Sequence, residues 1–400
     1  MLQSFLDLHH IKFLMRNIAI FTGVDIRTFG GGERYAIELA NRLKDSNVTI
    51  FSNIEKNNRV TTEEIEKMLH NNVKLKFYNT IKLPILKICP LTYSFLKSIL
   101  DIKNFDVVYN MDQYFPITNI NVLFACRLFN KRYVLGIHNP DFFADKPNNP
   151  SLAKNIVFPI YNFFRRIIVS MIPNIHVINK DDKLTLLNWR YKHNIFYVPH
   201  FSYNEIKEEH IKNNNKKFIA LFVGRLYVRH KGLDLLAKII DYVLTRNNKI
   251  IFHVIGSGED GESLIKNLLT KYPKNIVWQG FIQDNELTKA YSESSIFVMP
   301  SRVESFGLSL LEAQSNGLPV VAFDIKGPKD IINTSIQGTL IQPFDVTKFS
   351  EAILTNYKLW KENSKYLKIK RRITKIIKDK FGYSVLEDKI TKMIYAGKNE

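Results

Sequence analysis

Short, uninterrupted apolar runs alternate with longer mixed segments along most of the chain. In the first half these runs cover residues 18–23, 48–52, 106–110, 133–138, 175–179 and 195–199. Most of the segments between them mix polar and apolar positions as helices do. Continuous β-branched runs separated by helices indicate strands buried on both faces, as in a parallel sheet covered by helices.

The same alternation returns after an interruption rich in Asn and Lys at residues 204–217. Its apolar runs cover residues 218–224, 250–256, 276–281, 295–300, 319–323 and 339–342. We therefore predict an α/β protein with two doubly wound, Rossmann-like domains facing across a cleft. Ligands of such sheets bind beyond the carboxyl ends of the strands.

The pattern also predicts where these parts begin and end. The expected parts are a first domain at 1–203, a linker at 204–217, a second domain at 218–380 and a C-terminal helix at 381–400 that returns to the first domain.

Composition narrows the classes of function. Of the 400 residues, 45% are hydrophobic and 24% are charged, which is typical of a globular protein. Lys and Arg total 57 against 38 Asp and Glu, a net charge of +19 that favours anionic partners. The chain has no recognised nucleic-acid module and no basic-aromatic repeat, so we expect no nucleic-acid partner. Its two cysteines form no disulfide framework.

Two basic and apolar segments, 81–100 and 152–172, resemble helices that lie on a membrane surface. The alternative is that each is an ordinary core-facing helix with cations at its edge. No run of 18 uncharged apolar residues occurs, so we expect no spanning helix. Residues 1–14 lack the features of a signal peptide, and we interpret them as an extension or a misassigned start.

A glycine-rich turn follows the first strand. Gly30, Gly31 and Gly32 precede a helical pattern, so their backbone can turn tightly and approach a ligand closely. Free amides at a helix start suit an anion or a sugar hydroxyl. The spacing is not G-x-G-x-x-G, which makes a dinucleotide site a weak hypothesis, and a plain tight turn remains the alternative.

Two cations follow the first strand of the second half. Arg225 and Lys231 flank a short loop before a helix that begins near Gly232. Cations at a strand's carboxyl end, beside a helix start, suit a diphosphate.

The most specific pattern lies at residues 298–324. A loop with Glu304 leads into a helix that carries Glu312. The helix is expected to begin at about Leu308, and the amides available to a phosphate there are those of Phe306, Gly307 and Leu308. Carboxylates beside a phosphate are favourable only when they face hydroxyl groups. The arrangement therefore indicates sugar rings on either side of a phosphate.

Weaker candidates lie elsewhere. His138 ends an apolar run, where a ligand role is plausible beside the usual structural one. The turn at 256–264 is more typical of structure than of ligand binding. Asp-x-Asp and zinc-type spacing are both absent from the sequence, so we expect no metal site.

Together these segments resemble retaining glycosyltransferases of the GT-B fold, in glycosyltransferase family four. The resemblance rests on GGGER, VGRLYVRHKG, VIGSGEDGESL and ESFGLSLLEAQSNGLPVVAFD, and it is strongest from Phe218 to Pro343. Departures include VPHFSYN, where the family often has Pro-Asn-Gly, and Asp330, where Glu is common.

The resemblance implies a role for each matching residue of the second half. Arg225 and Lys231 would hold the diphosphate of a nucleotide sugar. Glu312 would bind ribose hydroxyls, and Glu304 would contact the transferred sugar, supported by the amides near Phe306 and Gly307.

In the first half, the resemblance implies that Gly31 and Gly32 close over the donor and that His138 lies near C6 of the sugar. The expected enzyme is a hexosyltransferase that uses a UDP- or GDP-sugar and needs no cofactor or metal. Its acceptor would be a glycan or a lipid-linked molecule in surface polysaccharide or glycolipid assembly. We expect a cytoplasmic protein attached peripherally to an anionic membrane.

Two alternatives stay open at this point. A catalytically silent subunit with the same fold would bind a partner transferase. An epimerase or phosphorylase would use the same fold for another reaction, which donor hydrolysis and acceptor transfer assays would distinguish.

Overall fold

The computed structural model describes residues 15–55, 58–79, 93–112, 117–138, 152–202 and 217–396. The predicted extension at 1–14, nearly all of the predicted linker and residues 81–92 of the first basic segment lie outside these ranges. The chain divides into two compact units. The first holds the described residues up to Val177, with Asp182–Tyr197 and those from Lys389 onward; the second holds Ile178–Asp181 and Val198–Asp388.

The first unit is built on a parallel sheet. Its strands are β1 (Arg16–Thr22), β2 (Ser46–Asn53), β3 (Val73–Tyr78), β4 (Val107–Asp112), β5 (Arg132–Ile137), β6 (Asn174–Val177) and β7 (Asn194–Tyr197). They pair in the order β3-β2-β1-β4-β5-β6-β7. The chain thus winds outward in both directions from β1, as a doubly wound sheet does.

The second unit contains another parallel sheet. Its strands are β8 (Phe218–Val223), β9 (Ile250–Ile255), β10 (Ile276–Gln279), β11 (Ile296–Met299), β12 (Val320–Phe323) and β13 (Gly338–Ile341). They pair in the order β10-β9-β8-β11-β12-β13. The two sheets confirm the predicted α/β class with two doubly wound, Rossmann-like domains.

Helices connect most of the strands. In the first half they are α1 (Gly31–Arg42), α2 (Thr62–Met68), α3 (Tyr93–Leu100), α4 (Ile117–Leu128), α5 (Leu152–Met171) and α6 (Lys180–Asn188). In the second half they are α7 (Val228–Lys231), α8 (Leu233–Arg246), α9 (Glu259–Lys271), α10 (Asp284–Ser292), α11 (Leu308–Ser315), α12 (Pro328–Ile331), α13 (Val346–Lys361), α14 (Asn363–Phe381) and α15 (Tyr383–Tyr395).

Strand β3 is absent from the predicted set. Its sequence, VKLKFY, places Lys74 and Lys76 between apolar residues, so it lacks the continuous apolar run of a central strand. It lies at the edge of its sheet. Lysines on an edge strand stay in water and discourage pairing with another chain, which explains why this strand has a different pattern.

The central strands bury side chains on both faces. In the second unit, Ala220 and Phe222 of β8 face one apolar cluster, while Leu221 of the same strand faces another. Helices cover both faces of such a sheet, so alternate residues meet opposite helical layers. This is the physical reason that the strands read as uninterrupted apolar runs.

Helices α3, α4, α5 and α6 form one layer of the first unit. Right-handed crossovers that move in one direction along a sheet place their helices on the same face. Helix α3 packs against α4. Arg127 of α4 donates to the Met171 carbonyl of α5 over 2.8 Å, and the Arg166 guanidinium of α5 lies 4.8 Å from the ring centre of Trp189, just after α6.

The last helix contributes side chains to the first unit. The Tyr395 hydroxyl lies 2.6 Å from the Ser46 hydroxyl, and Arg16 donates to the Tyr395 carbonyl over 3.1 Å. Arg132 donates to the Met393 carbonyl over 3.0 Å.

Among the described helices, none combines the length and hydropathy that a membrane span requires.

The backbone of the turn after β9 packs closely against the backbone of the loop after β8. Gly256 has φ of +140°, and a Cβ there would lie 1.9 Å from the Gly224 carbonyl oxygen. Gly258 and Gly261 approach the backbone of Leu226 in the same way. These contacts account for the glycines of residues 256–264 by packing alone, so the turn needs no ligand to explain it.

Gly256→Ala should destabilise the protein by roughly 3 kcal/mol, because alanine is strained at this φ and its methyl group meets backbone that cannot move aside. Thermal unfolding followed by circular dichroism measures the change. Gly280→Ala is the matched control, since a Cβ at Gly280 meets nothing within 4 Å. Equal melting temperatures for the two variants would contradict this account of the turn.

Candidate functional site

In the second unit, Lys231 and Glu304 contact each other directly. Lys231 ends α7, and Glu304 lies in the loop that follows β11, 73 residues further along the chain. The Lys231 ammonium donates to Glu304 Oε1, and both side chains are largely buried. Two residues that the sequence placed beside a bound diphosphate and sugar are therefore adjacent at the carboxyl edge of the sheet.

The backbone brings their two loops together. Arg302 donates its amide to the His230 carbonyl over 2.8 Å. Gly232 is the N-cap of α8 with φ of +67°, and a Cβ there would lie 2.1 Å from the Pro300 carbonyl oxygen. A side chain at Gly232 would separate the loop after β8 from the loop after β11.

Arg302 also joins these loops through its side chain. Its guanidinium donates two hydrogen bonds of 2.7 Å to the Asp234 carboxylate on α8 and a third of 3.1 Å to the Val228 carbonyl. The hydrogen bonds from Arg302 hold the pKa of Asp234 below its usual value. This bidentate pair fixes the spacing between Lys231 and Glu304.

The start of α11 faces the same edge of the sheet. Gly307 precedes the helix in a left-handed conformation with φ of +99°, and Leu308 is the first helical residue, as predicted. One turn further, Glu312 accepts a hydrogen bond of 2.9 Å from the Tyr291 hydroxyl. Glu312 is half-buried and bonded, which separates it from an ordinary solvated helix residue.

The packing of Phe306 fixes the loop that leads into α11. Its ring is buried, 5.3 Å from the ring centre of His200 and 5.9 Å from that of Phe381. The backbone of Gly327 packs directly on Phe306, since a Cβ on Gly327 would lie 2.8 Å from the Phe306 carbonyl oxygen. The Phe306 side chain therefore anchors the loop, and only its backbone is available to a ligand.

Arg225 lies in the loop that follows β8. Its side chain is exposed, and its guanidinium lies 5.5 Å from the ring centre of Tyr227.

Asp330 stands where the family that the sequence resembles often has Glu. Its carboxylate accepts a hydrogen bond of 2.9 Å from the Lys180 amide. Burial raises the pKa of the Asp330 carboxyl above its usual value.

The candidates of the first unit are brought together by a tyrosine. Gly31 and Gly32 open α1, with Gly31 exposed. Tyr35 follows on the same helix, and its buried ring lies 5.0 Å from the ring centre of His138. His138 is 7% exposed and comes directly after β5. Tyr35 therefore connects the helix that the glycine turn begins with His138.

Arg302 and Tyr35 were not singled out in the sequence, although each had a signal. Arg302 lies in the same loop as Glu304, and Tyr35 occupies the apolar face of the helix that the glycine turn begins. Neither position predicts the residue that its side chain contacts, because Asp234 and His138 lie on other segments of the chain.

Within the described ranges, no three His, Cys, Asp or Glu side chains come together in the way that a metal ion requires.

The second half of the chain is similar to a known family. Residues 203–387 match the family Glycosyl transferases group 1. This range holds every predicted site residue of the second half, from Arg225 to Glu312.

Two curated relatives illustrate the range of similarity. The uncharacterized 41.2 kDa protein in the cps region of Klebsiella pneumoniae is 27% identical over 342 residues, which cover 79% of this chain and 88% of that protein. The UDP-Gal:alpha-D-GlcNAc-diphosphoundecaprenol alpha-1,3-galactosyltransferase of Escherichia coli is 29% identical over 163 residues, or 40% of this chain and 41% of that enzyme. The chain thus spans less than half of the galactosyltransferase.

A solved structure extends the likeness to nearly the whole chain. Anabaena HepE in complex with UDP superposes with a TM-score of 0.70 at 14% identity, covering 94% of this chain and 99% of HepE. Identity this low shows the fold alone, which is the GT-B fold of glycosyltransferases. The chain therefore has the GT-B fold, and its residues 203–387 match the family Glycosyl transferases group 1.

Proposed function

We propose that the protein is a retaining glycosyltransferase of glycosyltransferase family four that moves a sugar from a nucleotide sugar to a glycan or lipid-linked acceptor. The observation that carries the proposal is the contact of Lys231 with Glu304 in the second unit. A cation, a carboxylate and a helix start at one sheet edge suit a diphosphate that joins two sugar rings.

The cations serve the leaving group. As the bond between the sugar and the diphosphate breaks, negative charge grows on the diphosphate oxygens. Lys231, Arg225 and the amides at the start of α11 stabilise that charge in place of a metal ion. The departing diphosphate takes the proton of the acceptor hydroxyl on the same face of the sugar, which gives retention of configuration.

The carboxylates serve the hydroxyl groups on either side. Glu312 would accept hydrogen bonds from the ribose, and its bond from Tyr291 holds its position on α11. Glu304 would contact the transferred sugar, while Arg302 holds the loop that carries it. For the first unit, the family resemblance alone supports the proposed roles of His138 near C6 of the sugar and of the Gly31–Gly32 turn at the donor.

The relatives support the class of donor and acceptor. HepE was crystallised with UDP, and the Escherichia coli relative is named for a UDP-galactose donor and a diphosphoundecaprenol-linked acceptor. A UDP-sugar is therefore the donor to test first, with GDP-sugars beside it. The sugar-bearing lipid acceptor in the name of the Escherichia coli relative supports a place in surface polysaccharide or glycolipid assembly.

A binding screen followed by a transfer assay tests the proposal. The full chain is mixed with a panel of UDP- and GDP-sugars, and specific binding raises the melting temperature, since ligand bound only to the folded state stabilises it. Incubation with lipid-linked acceptors then follows sugar transfer. Donor binding without transfer or hydrolysis would favour the silent subunit, and absence of donor binding would contradict the proposal.

Lys231→Ala should lower kcat by roughly 100-fold, because the leaving diphosphate loses a fixed cation. Steady-state transfer kinetics measure the effect. Lys238→Ala is the matched control: Lys238 is an exposed cation on α8, and its loss should leave kcat within about twofold of wild type. Wild-type kcat in the Lys231 variant would contradict the role given to this residue.

Transfer should survive a chelator, because Lys231 and Arg225 supply the positive charge that a metal ion would otherwise provide. The measurement compares initial rates in EDTA with rates in added magnesium or manganese. Loss of activity in EDTA that either metal restores would show that the cations do not suffice.

We also propose that the protein is cytoplasmic and binds peripherally to an anionic membrane through the layer of α3, α4, α5 and α6. Large apolar side chains of all four helices are exposed: Leu96, Leu100, Phe124, Leu128, Ile160, Phe163, Phe164, Ile167, Leu184 and Leu187. Single exposed apolar residues are ordinary, whereas a helical layer that carries many suits a membrane or a partner.

Positive charge on the same layer favours the membrane. Lys97, Arg127 and Arg166 are exposed on α3, α4 and α5. Each cation near an anionic surface contributes about 1 kcal/mol of attraction. Arg165 does not take part: it is 2% exposed, and its guanidinium lies 5.4 Å from the ring centre of Trp189.

The double variant Phe163→Ser with Arg166→Glu should bind anionic vesicles at least about tenfold more weakly than wild type, since it removes one apolar contact and reverses one charge. Co-sedimentation at low salt measures binding, which high salt should reduce. The matched control is Val277→Ser with Lys274→Glu, which likewise replaces one exposed apolar residue by serine and one exposed cation by glutamate, in the second unit.

Two results would contradict the membrane proposal. One is equal, negligible sedimentation of the wild-type protein with anionic and neutral vesicles at low salt. The other is an equal loss of binding in both double variants, which would mean that net charge alone attracts the protein.

A further inference from the structure

Helix α7 is a single turn of four residues that carries Lys231 at its end. A helix this short is not stable alone, because ordering its first turn costs more conformational entropy than its few hydrogen bonds offset. Its N-cap residue, Tyr227, makes no capping hydrogen bond with its side chain. The position of Lys231 therefore depends on contacts between α7 and other segments.

One of these contacts comes from the start of α9. Asp260 lies in the first turn of that helix, and its Oδ2 accepts a hydrogen bond of 3.0 Å from the Val228 amide. Val228 is the first residue of α7, and the amides of a first turn have no acceptor within their own helix. The Asp260 carboxylate supplies that acceptor. Within the described residues, the Asp260 side chain makes no other hydrogen bond, so its removal deletes this bond alone.

The turn that precedes Asp260 holds the same loop through its backbone. The Leu226 amide donates to the Ser257 carbonyl over 3.0 Å, and the Leu226 side chain is fully buried. A Cβ on Gly261 would lie 2.3 Å from the Leu226 carbonyl oxygen. This close packing keeps the start of α9 next to the start of α7, within reach of the Asp260 carboxylate.

The backbone of α7 connects the bond at Val228 with Lys231. The Lys231 amide donates to the Tyr227 carbonyl over 2.8 Å, and the Gly232 amide donates to the Val228 carbonyl over 2.9 Å. The Val228 carbonyl also accepts the bond of 3.1 Å from Arg302. Val228 is thus held at its amide by α9 and at its carbonyl by the loop after β11. Loss of either partner frees the turn that carries the lysine.

We propose that Asp260 is a positioning residue that holds α7, and with it Lys231, in place for the diphosphate of the donor. Its carboxylate bonds the backbone of α7 and acts on the diphosphate only through Lys231. That role in transfer rests on the proposed function, whereas the bond from the Val228 amide is a property of the protein without a donor.

Hydrogen exchange tests the bond on the full chain without a ligand. In Asp260→Ala, the segment 226–231 should exchange about fivefold faster than in wild type, since the Val228 amide loses its acceptor. Mass spectrometry of the peptide that carries this segment measures the exchange. Asp379→Ala is the matched control: Asp379 is exposed on α14 and, in the part of the chain that the structure describes, its side chain makes no hydrogen bond. Equal exchange in wild type and Asp260→Ala would overturn the proposal.

Steady-state kinetics test the consequence for transfer. Asp260→Ala should lower kcat about tenfold, because a displaced Lys231 stabilises the leaving diphosphate less well. Asp260→Asn keeps an oxygen acceptor for the Val228 amide, so its kcat should stay within about threefold of wild type, as should that of Asp379→Ala. An equal loss in Asp260→Asn and Asp260→Ala would show that the hydrogen bond is not what matters, and the positioning role would be wrong.

A double variant separates positioning from general destabilisation. If Asp260 acts through Lys231, adding Asp260→Ala to Lys231→Ala should change kcat by less than about twofold, because the positioned group is already gone. A further tenfold loss in the double variant would contradict the positioning role.

The outcomes distinguish this proposal from the proposed function. If wild type transfers no sugar from any donor, the proposed function fails, and hydrogen exchange still decides whether Asp260 holds α7. If wild type is active and Asp260→Ala keeps the wild-type kcat, the positioning role is wrong while the proposed function stands.

Discussion

The bidentate ion pair of Arg302 with Asp234 holds the candidate site of the second unit together. It joins the loop after β11 to the helix that follows Lys231, across 68 residues of sequence. The same arginine binds the Val228 carbonyl, and its amide binds the His230 carbonyl. Because both loops leave neighbouring parallel strands at one edge, a short clamp is enough to set Lys231 against Glu304.

Charge at this edge is balanced within the protein. The Lys231 ammonium contacts Glu304, so neither group is buried alone, which would be costly. A diphosphate that bound here would meet a cation already in place, with little side-chain entropy left to lose. The helix start beside it is equally fixed, because Phe306 is packed between His200, Phe381 and Gly327.

The first unit separates two kinds of surface. Its carboxyl edge holds a buried polar group, in which the Tyr109 hydroxyl lies within hydrogen-bond distance of His138 and His176, and the Tyr35 ring packs beside His138. Its α3–α6 layer exposes large apolar side chains and cations instead. A buried polar network is stable only when its members are paired, whereas exposed apolar groups are tolerated singly and in numbers indicate a surface that contacts something else.

The sequence alone determined the architecture. Uninterrupted apolar runs located twelve of the thirteen strands in the described residues, because a central parallel strand must be apolar on both faces. It also located the start of α11 at Leu308 and placed Lys231, Glu304 and His138 beyond strand ends. The apolar pattern did not predict edge strand β3, because its lysines face water and interrupt the apolar run.

Tertiary structure alone decided which side chains meet. Arg302 and Asp234, or Tyr109 and His176, are far apart in the chain, and no local pattern relates them. It also decided that Arg165 is buried while Arg166, the next residue, is exposed. Periodicity reports which face of an element is apolar, but the order of strands in a sheet sets which polar groups become neighbours, and that order comes from pairing between distant segments.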